Sequence, residues 1–308
     1  MEGKYVVLFA LFLVPSVFAL GPQAEDIQAE RLVAAMDNVE CKAQFMVGTL
    51  ESMMEHVDGA GYLQDDIDTI NDDVETLQDY VDDGDNAAFW QYSWGGFTTH
   101  MREAKQNLAQ ARMGGNYSIG VMKELRDDYD ILKAQYEACN FESAKRFGQG
   151  KVDAYELVLE TADDKIERLE EKGIETSGLS QLVGEARSEV IDPLQDALDD
   201  AETHAEVREA LRGYCLFNGC PEGSNFHFAA RFEIEKVDSI LDAISSDAVE
   251  AGLGDEVETA EGHIGDAQDV LDAVGSEQYS GSQHEDMWDS IRSAADAVKD
   301  ILSALRSV

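Results

Sequence analysis

Leu63, Ile67, Ile70, Val74, Leu77 and Val81 recur at steps of four, three, four, three and four. That spacing is one face of an α-helix and of nothing else in the secondary-structure repertoire. Ten acids and no Lys or Arg fill the other positions between residues 64 and 86. A chain that keeps this stripe under so much like charge must bury the stripe against a partner helix, because neither propensity nor side-chain pairing supports it.

The same period runs through the rest of the sequence. Leu32–Met36–Val39–Ala43–Met46–Leu50–Met53–Val57 obey it, as do Met122–Leu125–Tyr129–Leu132–Tyr136–Cys139 and Val152–Tyr155–Leu159–Ala162–Ile166–Leu169. Three further stripes start at Ile234, Val257 and Trp288, and Pro193 predicts a kink in a less regular helix over 179–201. No stretch alternates apolar and polar residues, so no strands are expected. Short connections such as "DGAG", "DDGDN" and "GLGD" make neighbouring helices antiparallel. The expected fold is all-α, built of antiparallel helical bundles with coiled-coil-like seams.

"NFESAKRFGQGKVD" at 140–153 aligns without a gap with "NFHFAARFEIEKVD" at 225–238, and "CKAQF" at 41–45 is a fainter copy. Each full copy follows a cysteine and precedes an apolar stripe. This predicts three tandem modules, 20–140 with an extra helix over 118–139, 141–219 and 220–308, stacked as an elongated array. The alternation of long helix, Gly turn and second helix is similar to extracellular helical arrays of archaea.

The first 19 residues read as a secretory signal peptide: Lys4, an apolar run from Tyr5 to Val14, Pro15, then Val17-Phe18-Ala19, with cleavage expected after Ala19. Tyr5–Leu20 is shorter than the roughly 20 residues a membrane span needs. A pilin-type signal cut before the run is the alternative, and Lys4 and Tyr5 argue against it. The mature chain is expected to be secreted or held at the cell surface. Four cysteines in an exported chain suit disulfides. Cys215 and Cys220 enclose only "LFNG", which leaves Cys41 with Cys139. Zinc is the competing reading, but the spacings match no finger or ribbon. Asn116-Tyr117-Ser118 is a glycosylation acceptor.

A calcium loop is the most specific site these acids could form. Placing Gly84 at the sixth position of an EF-hand puts Asp79 first but Val81 third and Trp90 twelfth, so the pattern fails. The surplus is global: 64 acids stand against 23 bases, 11 of them Lys, for a net charge of −41. Screening by molar salt removes most of the resulting repulsion, so this is the composition of an extracellular protein adapted to salt. Inorganic cations are expected only as diffuse counterions. A chain without a basic footprint is not built for nucleic acid.

Catalytic patterns are incomplete. "HEDMW" at 284–288 has one His where a zinc protease helix has two, "FGQGKVD" lacks the first Gly and the hydroxyl of a phosphate loop, and no nucleophile elbow occurs. No enzyme and no cofactor are expected. The unusual cluster is "FWQYSWGGFTTHM" at 89–101. Continuing the stripe Met101–Ala104–Leu108–Ala111 backwards makes Trp90, Trp94 and Phe97 core and leaves Phe89 and Tyr92 as a possible contact face. "CLFNGCPEGSNFHF" at 215–228 reads as a second aromatic loop, exposed or a stapled linker. The function expected is contact with extracellular or envelope proteins or glycans; the alternative is a binding protein for a cation, polyamine or glycan near the first module.

Overall fold

The computed structural model describes residues 22–114, 117–217, 220 and 224–306, and it is helical almost throughout. The signal peptide and Asn116 lie outside the described residues. The helices are α1 (Pro22–His56), α2 (Gln64–Asp82), α3 (Asn86–Tyr92), α4 (Thr98–Gly114), α5 (Ile119–Glu170), α6 (Ser177–Ala186), α7 (Asp192–Asp200), α8 (His204–Gly213), α9 (Phe228–Glu250), α10 (Gly254–Val274) and α11 (Gly281–Leu305). The all-α expectation holds.

The chain divides into two compact units, where the sequence pattern suggested three modules. One comprises Glu25–Lys151 with Ala201–Arg208, the other Val152–Asp200 with Glu209–Val308. Helix α5 runs unbroken through positions 140 and 141, where the repeat placed a module boundary, and it contributes to both units. Between 119 and 170 there is no proline, and the glycines at 148 and 150 only weaken a helix. Gly150 has a packing role: a Cβ there would lie 2.6 Å from Cγ of Arg31 on α1.

In the first unit, α1 is packed on two sides. One side buries Leu32, Met36, Val39, Met46, Leu50 and Met53 against Leu63, Ile67, Ile70 and Leu77 of the acidic segment, and against α3 and α4. The other side meets α5. Cys41 and Cys139 are disulfide-bonded with Cα atoms 5.8 Å apart. Phe45 packs on Tyr129 and Tyr136, and Ser52 donates to Asp128 at 2.7 Å. Gly48 permits the approach, because a Cβ would lie 2.6 Å from Leu132.

Helix α2 is thus folded with most of its acids outward, and glutamine stands where lysine would pair with them. Gln64 donates to Asp68 at 2.8 Å and Gln78 to Asp82 at 2.7 Å, each four residues on. Gln181–Glu185, Gln195–Asp199 and Gln268–Asp272 repeat the device in the second unit. A neutral amide four residues before a carboxylate supports a helix by a few tenths of a kcal/mol without adding a cation.

The second unit packs α9, α10 and α11 as an antiparallel bundle through Ile240, Leu241, Ile244, Ala260, Ala267, Met287, Ile291 and Val298. Ser280 and Gln283 close a capping box at the start of α11. The expected kink near Pro193 is a π turn, Arg187–Ile191, through which the helical path continues into α7. Pro193 has no N–H to offer the carbonyl of residue 189, so the local ladder is already broken there. A two-residue parallel pair, Tyr214–Cys215 with Ser224–Asn225, departs from the expectation of no strands. The Cys215–Cys220 disulfide folds this loop back on itself, and the Asn225 amide donates to Cys220 O and accepts from Cys220 N, both at 2.8 Å. Two residues are too few to show a period of two in the sequence.

Burial holds the carboxyls of Glu235 and Asp238 on α9 above the usual range, with neighbouring acids adding to the effect. Burial acts oppositely on His227 and holds its imidazole below the usual histidine range. A raised carboxyl contributes stability that is present below its unfolded pKa and lost as pH rises through its folded pKa. The lowered His227 contributes stability present above its unfolded pKa and lost as pH falls through the folded value. Burial raises Asp163 and lowers His204 in the same way, so three carboxyls and the relief of net charge act together against two imidazoles. At fixed ionic strength the melting temperature is therefore expected to be higher at about pH 5 than at about pH 8. A monotonic rise with pH would show that these carboxylates are solvated in the folded state.

Candidate contact site at the aromatic turn

Asp85 opens the aromatic segment by capping α3, its carboxylate accepting from the N–H of Ala88 at 2.9 Å. The helix then passes through a π turn, Ser93–Phe97, before α4 begins. Thr98 and Thr99 donate their hydroxyls to the carbonyls of Ser93 and Gly95, both at 2.7 Å, so carbonyls released by the wider turn are satisfied.

The π turn corrects the expected register. Eight residues of ideal α-helix overshoot two turns by about 80°, and absorbing one extra residue removes that offset. Phe89 and Phe97 therefore share the buried face, Phe89 at 0% exposure. Downstream of the turn the stripe of Phe97, Ala104, Leu108 and Ala111 is buried as expected. Upstream the assignment reverses: Trp90 is 36% and Trp94 76% exposed, while Phe89, expected on a contact face, is core.

The same one-residue shift brings Tyr92 and His100, also eight apart, onto Asp73 of α2. The Asp73 carboxylate is 2% exposed. It accepts from Tyr92 Oη at 2.7 Å, and His100 Nδ1 lies 2.8 Å from its second oxygen. Tyr92 was expected to face outward; its hydroxyl instead points into this network. The bond to Asp73, with burial behind it, pushes the phenol up to about 12. Gly96 is needed beside it, because a Cβ there would sit 2.9 Å from the Tyr92 ring. A buried carboxylate is tolerated only when its lone pairs are used, and here they tie α3 and α4 to α2 on either side of the turn. The network is a brace, and the indoles stand outside it.

Asp73→Ala is expected to cost about 1–3 kcal/mol by leaving the Tyr92 hydroxyl without its acceptor. Urea unfolding measures it; a neutral result would mean that the carboxylate and phenol are solvated in solution.

Asp73, His100 and the exposure of the two tryptophans escaped the sequence reading. Asp73 directly precedes Val74 of the stripe and read as one more surface acid. The available signal was Gly95-Gly96 beside three aromatic residues, which permits a local departure from α geometry. The second aromatic loop, which reads as exposed in the sequence, is largely inside: Leu216, Phe226, His227 and Phe228 are buried. It borders a cleft of about 430 Å³ between Glu189, Phe226, His227, Arg231 and Asp272. Arg231 in its wall pairs with Glu185 at 3.1 Å and lies over Phe226, and His227 Nε2 lies 2.9 Å from the Glu277 carbonyl.

Among the described residues no helix is long and apolar enough to cross a membrane, and the two disulfides fit an extracellular protein. Comparisons with protein families, with curated protein sequences and with solved structures return no match to this chain.

Proposed function

We propose that this is a non-enzymatic protein of the cell exterior that works by contact through the aromatic turn and is adapted to concentrated salt. The observation that carries the reading is Trp94, a large apolar side chain 76% exposed on a turn whose underside is braced by a buried carboxylate. Indole faces on a rigid support provide contact area at little cost in conformational entropy, which is why tryptophan dominates binding hot spots. The two disulfides support a place outside the cell, and the net charge of −41 with glutamine donors in place of lysine supports adaptation to salt.

Trp94→Ala is expected to leave stability within about 0.5 kcal/mol of the parent, as for other surface substitutions. It is expected to release the protein from isolated cell envelopes at molar salt. Undiminished retention by a normally folded variant would remove the aromatic turn from the contact. A second reading has its own support: Asp82, Asp83 and Asp85 are exposed in the connection that leads into α3, five to eight residues ahead of the exposed Trp90. Carboxylates next to an indole suit a polyamine or other organic cation. A saturable thermal shift with spermidine, abolished in Trp90→Ala, would favour that reading over contact.

A further inference from the structure

We propose that the cleft in the second unit binds a sugar ring, free or at the end of a glycan, through its hydroxyls; the inference does not depend on the contact reading above. The cleft holds about 430 Å³, within the range of small-molecule sites. One wall, residues 224–227, follows the Cys215–Cys220 staple and is held from both sides. The N–H of Phe226 donates to the Cys215 carbonyl at 2.8 Å, that of Phe228 to the Leu216 carbonyl at 2.9 Å, and that of Asn225 to the Ser276 carbonyl at 3.0 Å. His227 sits among them at φ 56°, and among the described residues no other residue except glycine has a positive φ. Such a conformation persists only where its surroundings over-determine it, and it collects at ligand sites. Glu189 joins the lining from the π turn Arg187–Ile191, another irregularity that favours functional sites.

One residue of the lining carries an atom without a partner. His227 is 3% exposed. Its Nε2 lies 2.9 Å from the Glu277 carbonyl, which only accepts, so Nε2 carries the proton. Nδ1 of the neutral ring is then an acceptor, and it is buried with no hydrogen-bond partner. The nearby Gly275 carbonyl cannot serve it, because it too only accepts. A buried acceptor of this kind requires a donor from outside the chain. The rest of the lining decides what the donor is. Glu189 and Asp272 offer carboxylates, and Gln268 donates to Asp272 at 2.9 Å and so orients it. Arg231 offers donors from a guanidinium held 4.3 Å above the centre of the Phe226 ring. An organic cation would meet Arg231, and an anion would meet both carboxylates. A hydroxyl suits all of them: it donates to Nδ1 or to a carboxylate and accepts from a guanidinium by turning its proton. A sugar ring carries several such hydroxyls, and because it is uncharged its binding survives the screening of molar salt.

The test uses the whole chain with isotopically labelled histidine in molar potassium chloride. Glucose, galactose, mannose and N-acetylglucosamine are titrated separately, with spermidine as the cationic comparison, and the assigned ring nitrogens of His227 are followed by NMR. At least one sugar is expected to shift the Nδ1 signal saturably, in the direction of a new hydrogen bond. Glu189→Ala and Asp272→Ala, both at exposed positions and verified as folded by melting curves, are each expected to weaken that binding about tenfold or more. No shift with any of the four sugars up to about 100 mM, where a Kd of about 1 mM would be saturated, overturns the proposal and leaves Nδ1 to water. A shift that persists unchanged in both variants also overturns it, because the sugar then acts from outside the cleft. A saturable response to spermidine and to no sugar makes the cleft a site for organic cations and overturns the assignment to hydroxyls.

Discussion

Phe89→Ala is expected to destabilise the first unit by about 3–5 kcal/mol, the range for removing a fully buried aromatic ring. Its neighbour Trp94, the larger side chain, should cost almost nothing when replaced by Ala. The contrast is a direct consequence of the π turn at Ser93–Phe97, which rotates the preceding helix by one residue. In an unbroken α-helix continuous with Leu108 and Ala104, Trp90 and Trp94 would be core and Phe89 would be free. Urea unfolding of the two single variants decides between these registers. Equal losses at both positions would mean that the turn is not fixed in solution.

The second large effect concerns the Cys41–Cys139 disulfide, whose cysteines are 98 residues apart. By loop-closure entropy its removal, as a Cys41→Ser, Cys139→Ser pair, is expected to cost about 4.7 kcal/mol, whereas a short loop such as that of Cys215–Cys220 gives about 2 kcal/mol on the same scale. The long bridge also ties α5 to α1 next to the contacts of Phe45, Ser52, His56 and Leu132. Its loss should therefore expose the amides of residues 119–139 to hydrogen exchange before those of α1 and α2. Uniform exchange across the unit would show that α5 is held by packing without the bridge.

The helices were legible in the sequence because a narrow stripe at period 3.6 has one physical explanation, and stripes from Leu32 to Leu305 follow it. The disulfides were legible because the "LFNG" loop leaves one natural partner for each remaining cysteine. Features that depend on a single inserted residue were not. The stripe predicts Trp90 and Trp94 inside because it extrapolates across Gly95-Gly96 as if the ladder were continuous. The repeat misled in another way. Asn140 and Asn225 occupy matching positions, yet Asn140 lies mid-helix and Asn225 in a short strand followed by His227 at φ 56°. Asn140 is engaged by Asn38 of α1, whereas Asn225 is clamped to Cys220. Tertiary partners, not the fourteen-residue pattern, choose the backbone there. Asp73 was hidden by its company: among ten acids on one segment, nothing local marks the one that is buried.

The acidic surface itself gives the most direct test of the account, which holds that these carboxylates address the solvent and that the helices beneath them fold by packing and screening together. Like-charge pairs at helical spacing each cost about 0.2–0.5 kcal/mol, and the last turn of α2 has no base to offset its dipole. Helicity of the purified chain, followed by circular dichroism from millimolar to molar salt, is predicted to rise continuously, with potassium and sodium acting alike. A sharp transition at micromolar calcium, with no further gain from molar monovalent salt, would contradict the account and place a specific cation site among these acids.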